Sequence, residues 1–222
     1  MKSTLVLASQ SPRRRALINL LGCPVTAVTA EVDEMAVTTA DPAQNAIDTA
    51  RLKADAILAQ WGEQGPPVQP AVLVAADTNV AWGQTLLGKP ENGKTAAQML
   101  RQLRQQQHMV HSGMVVIDMT NGRTLHDVSS ATVTMRDYSD AEIAAYVATG
   151  DPFDKAGAYA IQHPVFQPVE SLSGCYLAVM GLSICHLAQL LHQLNVPLAI
   201  DVAQLHLAHK GFPCPYALPA GN

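Results

Sequence analysis

Apolar residues fall in two kinds of run along this chain. Leu5-Val6-Leu7-Ala8 and Val72-Leu73-Val74-Ala75-Ala76 are unbroken, as expected of strands covered on both faces. Val25 to Val28 predicts a further short strand. His108 to Asp118 and Thr124 to Arg136 are rich in Val, Met and Thr and predict two long strands, with the Asn121-Gly122 turn between them. Helical spacing appears elsewhere. Ala16 to Leu21 places its apolar residues on one face, and Asp41-Pro42 caps a helix running to about Trp61, with Ala46, Ala50, Ala54, Ile57 and Leu58 aligned. Helices are also predicted from about Thr95 to Gln106 and from a Ser139 cap to Thr149. Ser173 to Leu194 predicts one or two more, interrupted near Gly181. Gly62 to Pro70 and Gly150 to Gln162 read as loops, and Gly22 followed by Pro24 ends the first helix. No internal repeat is visible. The tail from Pro197 is rich in Ala, His and Pro, and no role is assigned to it.

Strands alternating with helices over 222 residues predict an α/β protein with a sizeable core. Hydrophobic residues make up 48% of the chain and charged residues 14%, which excludes a disordered chain. Fourteen Lys and Arg against eighteen Asp and Glu give a formal charge of −4, which argues against broad nucleic-acid binding. Any phosphate ligand therefore needs a local basic pocket. The apolar runs are too short to span a membrane, and the N-terminus lacks the apolar core of a signal peptide, so a cytoplasmic location is expected. Cys23, Cys175, Cys185 and Cys214 show no C-x-x-C spacing and read as buried or incidental thiols. His206 and His209 read as surface residues rather than metal ligands.

One segment concentrates candidate chemistry. Ser9-Gln10-Ser11-Pro12-Arg13-Arg14-Arg15 joins the first strand to the first helix. Ser11 is a good N-cap and Pro12 suits the first helical position. Arginines at the positive end of a helix dipole are locally unfavourable, and a bound anion such as phosphate would justify them. Asp77-Thr78 follows the fully apolar strand, where open α/β sheets place their ligands.

In order along the chain, further segments join these: Val32-Asp33-Glu34, Ala50-Arg51-Leu52-Lys53-Ala54, Leu87-Gly88-Lys89-Pro90, His108 to Gly113, Asp154 to Tyr159 with Ile161-Gln162, and Val179-Met180-Gly181-Leu182. Together they resemble the Maf family of nucleoside triphosphate pyrophosphatases from about residue 5 to about residue 194. The resemblance implies an α/β fold, Maf/ITPase-like, with a mixed curved sheet flanked by helices and a deep central groove between two lobes. The family-like domain spans 1–196, and 197–222 is a C-terminal extension. The resemblance also implies hydrolysis of a nucleoside triphosphate to the monophosphate and pyrophosphate, and a homodimer.

On this resemblance, Arg13, Arg14, Lys53 and Lys89 are the cations for the phosphate oxygens, with the backbone around Ser9 and Ser11 adding N–H donors. Arg15 reads as a solvated neighbour. Glu34 and Asp77 are the expected ligands of a divalent cation, Mg²⁺ or Mn²⁺, and Asp77 is also the expected general base. Asp33 is a weaker candidate beside Glu34. Arg13, Thr78 and Gln162 match the pyrimidine-directed members, which points to dTTP and UTP. An amide at Gln162 suits the imide edge of uracil or thymine. His163-Pro164 departs from the family pattern beside Gln162 and puts base choice in doubt. Taken singly, Lys53 is a solvated lysine, Asp77 a turn residue, Glu34 plain surface and Lys89 a turn lysine; only the ordered set points to chemistry.

Two other function classes are open. Gly88 to Thr95 satisfies the P-loop pattern G-x-x-x-x-G-K-S/T, and Val115 to Asp118 resembles an acidic Mg²⁺-holding strand, which together describe a kinase or ATPase. A non-catalytic nucleotide-binding regulator of cell division is the third class.

Overall fold

The computed structural model describes residues 4–66, 68, 71–216 and 218. One sheet of seven strands organises the chain. β1 (Thr4–Ala8) lies between β2 (Val25–Val28) and β3 (Ala71–Trp82), parallel to both. β5 (Gln107–Asp118), β6 (Thr124–Met135) and β7 (Val169–Ser173) then continue the sheet from β3, each antiparallel to its neighbour. The short β4 (Thr85–Leu87) pairs with the far end of β3. The sheet is therefore mixed, and β3 is the strand at which parallel pairing gives way to antiparallel pairing.

The pleat separates two cores. Val6, Ala8, Leu73, Ala75, Val115 and Ile117 face α2 (Pro42–Trp61) and meet its Ala50, Ala54 and Ile57. Leu5, Leu7, Val72, Val74, Val110, Met114 and Val116 face the opposite side, into the larger core. That core contains α1 (Pro12–Ile18), α3 (Gly93–Leu103), α4 (Asp140–Ala148), α5 (Tyr176–Met180), α6 (Ile184–Gln193) and α7 (Val202–Ala208). Period-two alternation along each strand thus assigns neighbouring side chains to different layers.

Local signals set most element ends. Ser11 caps α1, accepting from the Arg14 N–H at 3.4 Å, with Pro12 at the first position. Asp41 caps α2 through the Gln44 N–H at 2.7 Å. Ser139 and Glu142 form a reciprocal capping box on α4. The first helix stops at Ile18, tightens to a 3₁₀ turn over Asn19–Leu21 and ends at Gly22, whose φ is 66°. A Cβ at Gly22 would stand 1.9 Å from the Ala199 carbonyl oxygen, so glycine also lets the tail pass close by.

The structure differs from the sequence pattern at several points. β3 runs on through Asp77 and Thr78 to Trp82, because β5 pairs with it well beyond the last β1 contact, at Ala8–Ala75. Asp77 therefore lies within a strand, at the point where its parallel neighbour has ended. α3 begins at Gly93 with Asn92 as its cap and stops at Leu103. β7 lies almost wholly in a stretch for which the sequence pattern predicts no element, and α7 lies in the segment read as tail. Pro67, Gln69 and Pro70 of the expected loop, and residues 217 and 219–222 of the tail, lie outside the described residues. No helix among the described residues is long and apolar enough to cross a membrane.

α2 rides unusually close to the sheet. Gly113 on β5 faces it, and a Cβ there would stand 2.3 Å from the Ala46 carbonyl carbon and 2.5 Å from the Ile47 nitrogen. Asn79 secures the same contact by donating from Nδ2 to the Pro42 carbonyl at 2.8 Å. Helix backbone cannot yield as a side-chain tip can. Gly113→Ala is therefore expected to lower the unfolding free energy by about 3 kcal/mol, the upper part of the overpacking range. Urea unfolding monitored by circular dichroism checks this, with Gly122→Ala, which has open space around it, as the comparison for turn strain alone.

Candidate active site

The site lies where β1 ends and β3 continues. On β3, Asp77 has the parity of Leu73 and Ala75 and so faces α2, whereas Thr78 faces the other layer. From α2, Lys53 reaches the Asp77 Oδ1 at 2.6 Å and the Glu34 Oε1 at 2.7 Å. Lys53 and Asp77 are largely shielded, while Glu34 is half exposed at the rim. One ammonium thus holds two carboxylates at fixed positions. Glu34 opens a 3₁₀ turn capped by Asp33, whose Oδ1 accepts from the Met35 N–H at 3.0 Å. Asp33 serves as a cap and is absent from the cavity lining.

On the other face, Arg14 extends across the cavity floor. Its Nε donates to the Gly181 carbonyl at 2.8 Å and its Nη2 to the Thr78 Oγ1 at 3.1 Å. Thr78 Oγ1 also lies 3.2 Å from the Gly181 carbonyl oxygen and 3.3 Å from the Ser112 hydroxyl. Desolvation draws the Arg14 guanidinium below its ordinary pKa, against the pull of Asp77 and Glu34. It remains a cation at any physiological pH. Arg13 crosses the mouth of the cavity to Asp154 Oδ2 at 3.2 Å. Arg15 turns back, donating from Nε to the Ser9 carbonyl at 3.3 Å, so it braces the loop rather than merely meeting solvent.

These groups line one cavity of about 550 Å³. Ser9, Ser11, Arg13, Arg14, Glu34, Lys53, Asp77, Thr78, Lys89 and Gln162 all contribute to its wall. Among the described residues Lys89 pairs with no carboxylate, whereas Lys53 engages two. Lys155 and Asp154 also line the cavity and were not singled out from the sequence. Lys155 is buried and is held by Asp151 Oδ1 at 2.9 Å and Asp154 Oδ1 at 2.6 Å. The signal for it lay in the family-like segment Asp154 to Tyr159, within which neither residue was given a role. Gln162 lines the cavity, as do the apolar side chains of Val80, Val110 and Ile161 and the ring of Tyr159. The neighbouring His163 packs edge-on against Tyr146 and accepts from the Phe166 N–H at 2.9 Å, which stiffens the loop carrying Gln162.

The P-loop pattern does not form a P-loop. β4 before it is a three-residue antiparallel strand at the end of β3, and Lys94 is exposed and outside the cavity lining. Thr95 bonds the Asn92 cap through its N–H and its hydroxyl. Asp118 accepts from the Thr120 N–H and the Asn121 side chain, as a hairpin-corner residue does.

The fold and the cavity define an α/β protein with one groove lined by several cations and by a carboxylate pair. The Maf-like protein family profile matches residues 4–194. A dTTP/UTP pyrophosphatase of Thermomicrobium roseum is 44% identical over 202 residues, covering 88% of this chain and 86% of that protein. One of Caldicellulosiruptor saccharolyticus is 37% identical over 193 residues, covering 87% and 96%. A solved structure, that of the Staphylococcus aureus Ham1 protein, overlays with a TM-score of 0.40 at 13% identity, covering 72% of this chain and 88% of that one. The chain belongs to the Maf family.

His108 is buried on β5, with its Nε2 2.8 Å from the hydroxyl of the cavity-lining Tyr159 and its Nδ1 without a partner among the described residues. Desolvation lowers its pKa to about 4. The unfolded chain therefore binds a proton near pH 6.5 that the folded chain refuses until about pH 4. Stability from this residue is complete above pH 6.5 and is lost as pH falls towards 4, by about 3 kcal/mol in all. Urea unfolding at stepped pH is expected to show this slope in the wild type and its loss in His108→Gln.

Proposed function

We propose that this protein hydrolyses dTTP and UTP to the monophosphate and pyrophosphate. The observation that carries the reading is the pair of carboxylates, Asp77 and Glu34, held by Lys53 in the same cavity as Arg13, Arg14 and Lys89. A triphosphate carries about four negative charges near neutral pH, and only such a concentration of cations offsets its desolvation. The names of the relatives support the same substrates.

Arg14 and Lys89 bind phosphate oxygens, and Arg13 exchanges Asp154 for phosphate as the ligand enters. Asp77 accepts the proton of the water that attacks the α-phosphorus, using Oδ2, which no protein group bonds among the described residues; the α-phosphorus–bridging-oxygen bond breaks and pyrophosphate leaves. Lys53 fixes the Asp77 rotamer through Oδ1 and acts as a positioning residue rather than a phosphate ligand. Thr78 orients Arg14, and Gln162 pairs with the pyrimidine edge. The donor set of Glu34 and Asp77 is two hard carboxylates beside the proposed phosphate position, which suits Mg²⁺ or Mn²⁺ completed by substrate oxygens. Such an ion would supply charge neutralisation at the reacting phosphate.

Pyrophosphate release is expected to fall by about a hundredfold to ten-thousandfold in Asp77→Asn. Lys89→Ala should be nearly inactive and Lys94→Ala close to wild type; the opposite order would restore the P-loop reading. Across a triphosphate panel with Mg²⁺ or Mn²⁺, dTTP and UTP should give the highest kcat/KM. A preference for 7-methyl-GTP would overturn the base assignment, and dTTP binding without pyrophosphate release would make the protein a regulator instead.

A further inference from the structure

Away from this cavity, the structure gathers three thiols and an imidazole that the sequence keeps far apart. Cys175 stands at the N-cap of α5, Cys185 in the first turn of α6, His209 at the C-cap of α7, and Cys214 in the tail. Ligand atoms of Cys175, His209 and Cys214 all lie within 4.8 Å of one another, the one such group among the described residues. The Cys175 and Cys185 sulfurs are each 3.8 Å from His209 Nε2. Both of those thiols also lie within hydrogen-bonding reach of the Cys214 thiol. Cys175, Cys185 and His209 are buried. Burial of Cys175 and Cys185 agrees with one of the two readings given for the thiols; the expectation of a surface His209 is corrected, whereas His206 is exposed as expected.

We propose that Cys175, Cys185, His209 and Cys214 form a structural zinc site that fastens the C-terminal extension to the Maf domain. Tetrahedral zinc with Zn–S near 2.3 Å and Zn–N near 2.0–2.1 Å requires S···N edges of roughly 3.6 Å and S···S edges of roughly 3.8 Å. The observed S···N separations of 3.8 Å are close to that edge, whereas Cys185 stands outside the group of mutually close ligand atoms and has to move inward on binding to serve as the fourth ligand. The imidazole is already oriented for the task. Its Nδ1 lies 2.8 Å from the Leu205 carbonyl oxygen, and a carbonyl only accepts, so Nδ1 carries a proton and Nε2, which faces the sulfurs, is the nitrogen a metal would take on losing its own proton. A backbone carbonyl bonded to the distal nitrogen is the usual outer support of a metal-bound histidine. Three soft thiolates and one imidazole select zinc over Mg²⁺ or Mn²⁺, so this site is chemically distinct from the carboxylate pair.

The surroundings match a staple. Phe212 stacks on Tyr176 at 5.2 Å and Tyr216 on His186 at 4.2 Å, so the tail lies against α5 and α6 on both sides of the cluster. Leu205 of α7 is buried in the main core. α5, which begins beside Cys175, ends at Gly181, whose carbonyl receives Arg14. Four donors on separate elements at this density would otherwise be an awkward cluster of polar atoms under an aromatic cover.

The test uses the full chain, purified without a polyhistidine tag, and elemental analysis after dialysis against EDTA. About one zinc per chain is expected. Replacing it with Co²⁺ should give a thiolate-to-cobalt charge-transfer band, which carboxylate ligands do not produce. Cys214→Ser and His209→Ala should each weaken zinc binding by at least about a hundredfold, whereas Cys23→Ser and Asp77→Ala should retain it. If Cys214→Ser fails to fold, mercurial titration of the wild-type thiols decides, because it should release one zinc as three thiols react. Absence of zinc with no cobalt–thiolate band, full zinc retention in Cys214→Ser, or a Cys175–Cys214 disulfide in the unreduced protein would each overturn the site.

Discussion

The close seating of α2 on the sheet is the constraint on which the candidate active site depends. Lys53 reaches Asp77 only because the helix face and the strands beneath it are built from small residues: Ala46, Ala50 and Ala54 above, Ala8, Ala75 and Gly113 below. A helix displaced outward by one methyl group would carry Lys53 away from a 2.6 Å ion pair. A largely shielded ammonium with its carboxylate partners withdrawn is costly, so packing and electrostatics here stand or fall together. Asn45 adds a further tie, donating to the carbonyls of Val37 and Thr39 and so linking the same helix to the segment that follows Glu34.

The strand pleat then divides the labour. Adjacent residues Asp77 and Thr78 point to opposite layers, one to the carboxylate–lysine cluster and the other to Arg14 and Gly181. The place where β1 stops supplies the opening between them, since β3 loses its parallel neighbour after Ala75. The chain therefore makes a site inside a strand, and its position follows from the unequal lengths of neighbouring strands.

Much of this was legible in the sequence wherever a local rule was enough. The Ser11–Pro12 and Asp41–Pro42 caps, the Gly22 stop and the unbroken apolar strands act within a few residues, and their elements begin and end close to where those rules put them. The ordered segments shared with the Maf family also named residues that line a single cavity. What escaped depends on distant partners. β7 reads Val-Glu-Ser-Leu-Ser, a weak edge-strand pattern that pairing with β6 makes regular. The continuation of β3 past Asp77 needs β5 beside it. Gly113 looks unremarkable until α2 is laid over it. Cys175, Cys185, His209 and Cys214 have no motif spacing because they come from separate elements. Their proximity is a property of tertiary structure alone.

The bridge between Arg13 and Asp154 crosses the mouth of the groove, joining segments 141 positions apart in the chain. With it closed, the resting protein satisfies one of its own cations. An incoming anion must compete with a tethered carboxylate, not just with water. Lys155 still holds Asp154 through its other oxygen at 2.6 Å, so the carboxylate that leaves Arg13 keeps a cation of its own and the mouth stays charge-paired whether the groove is empty or filled.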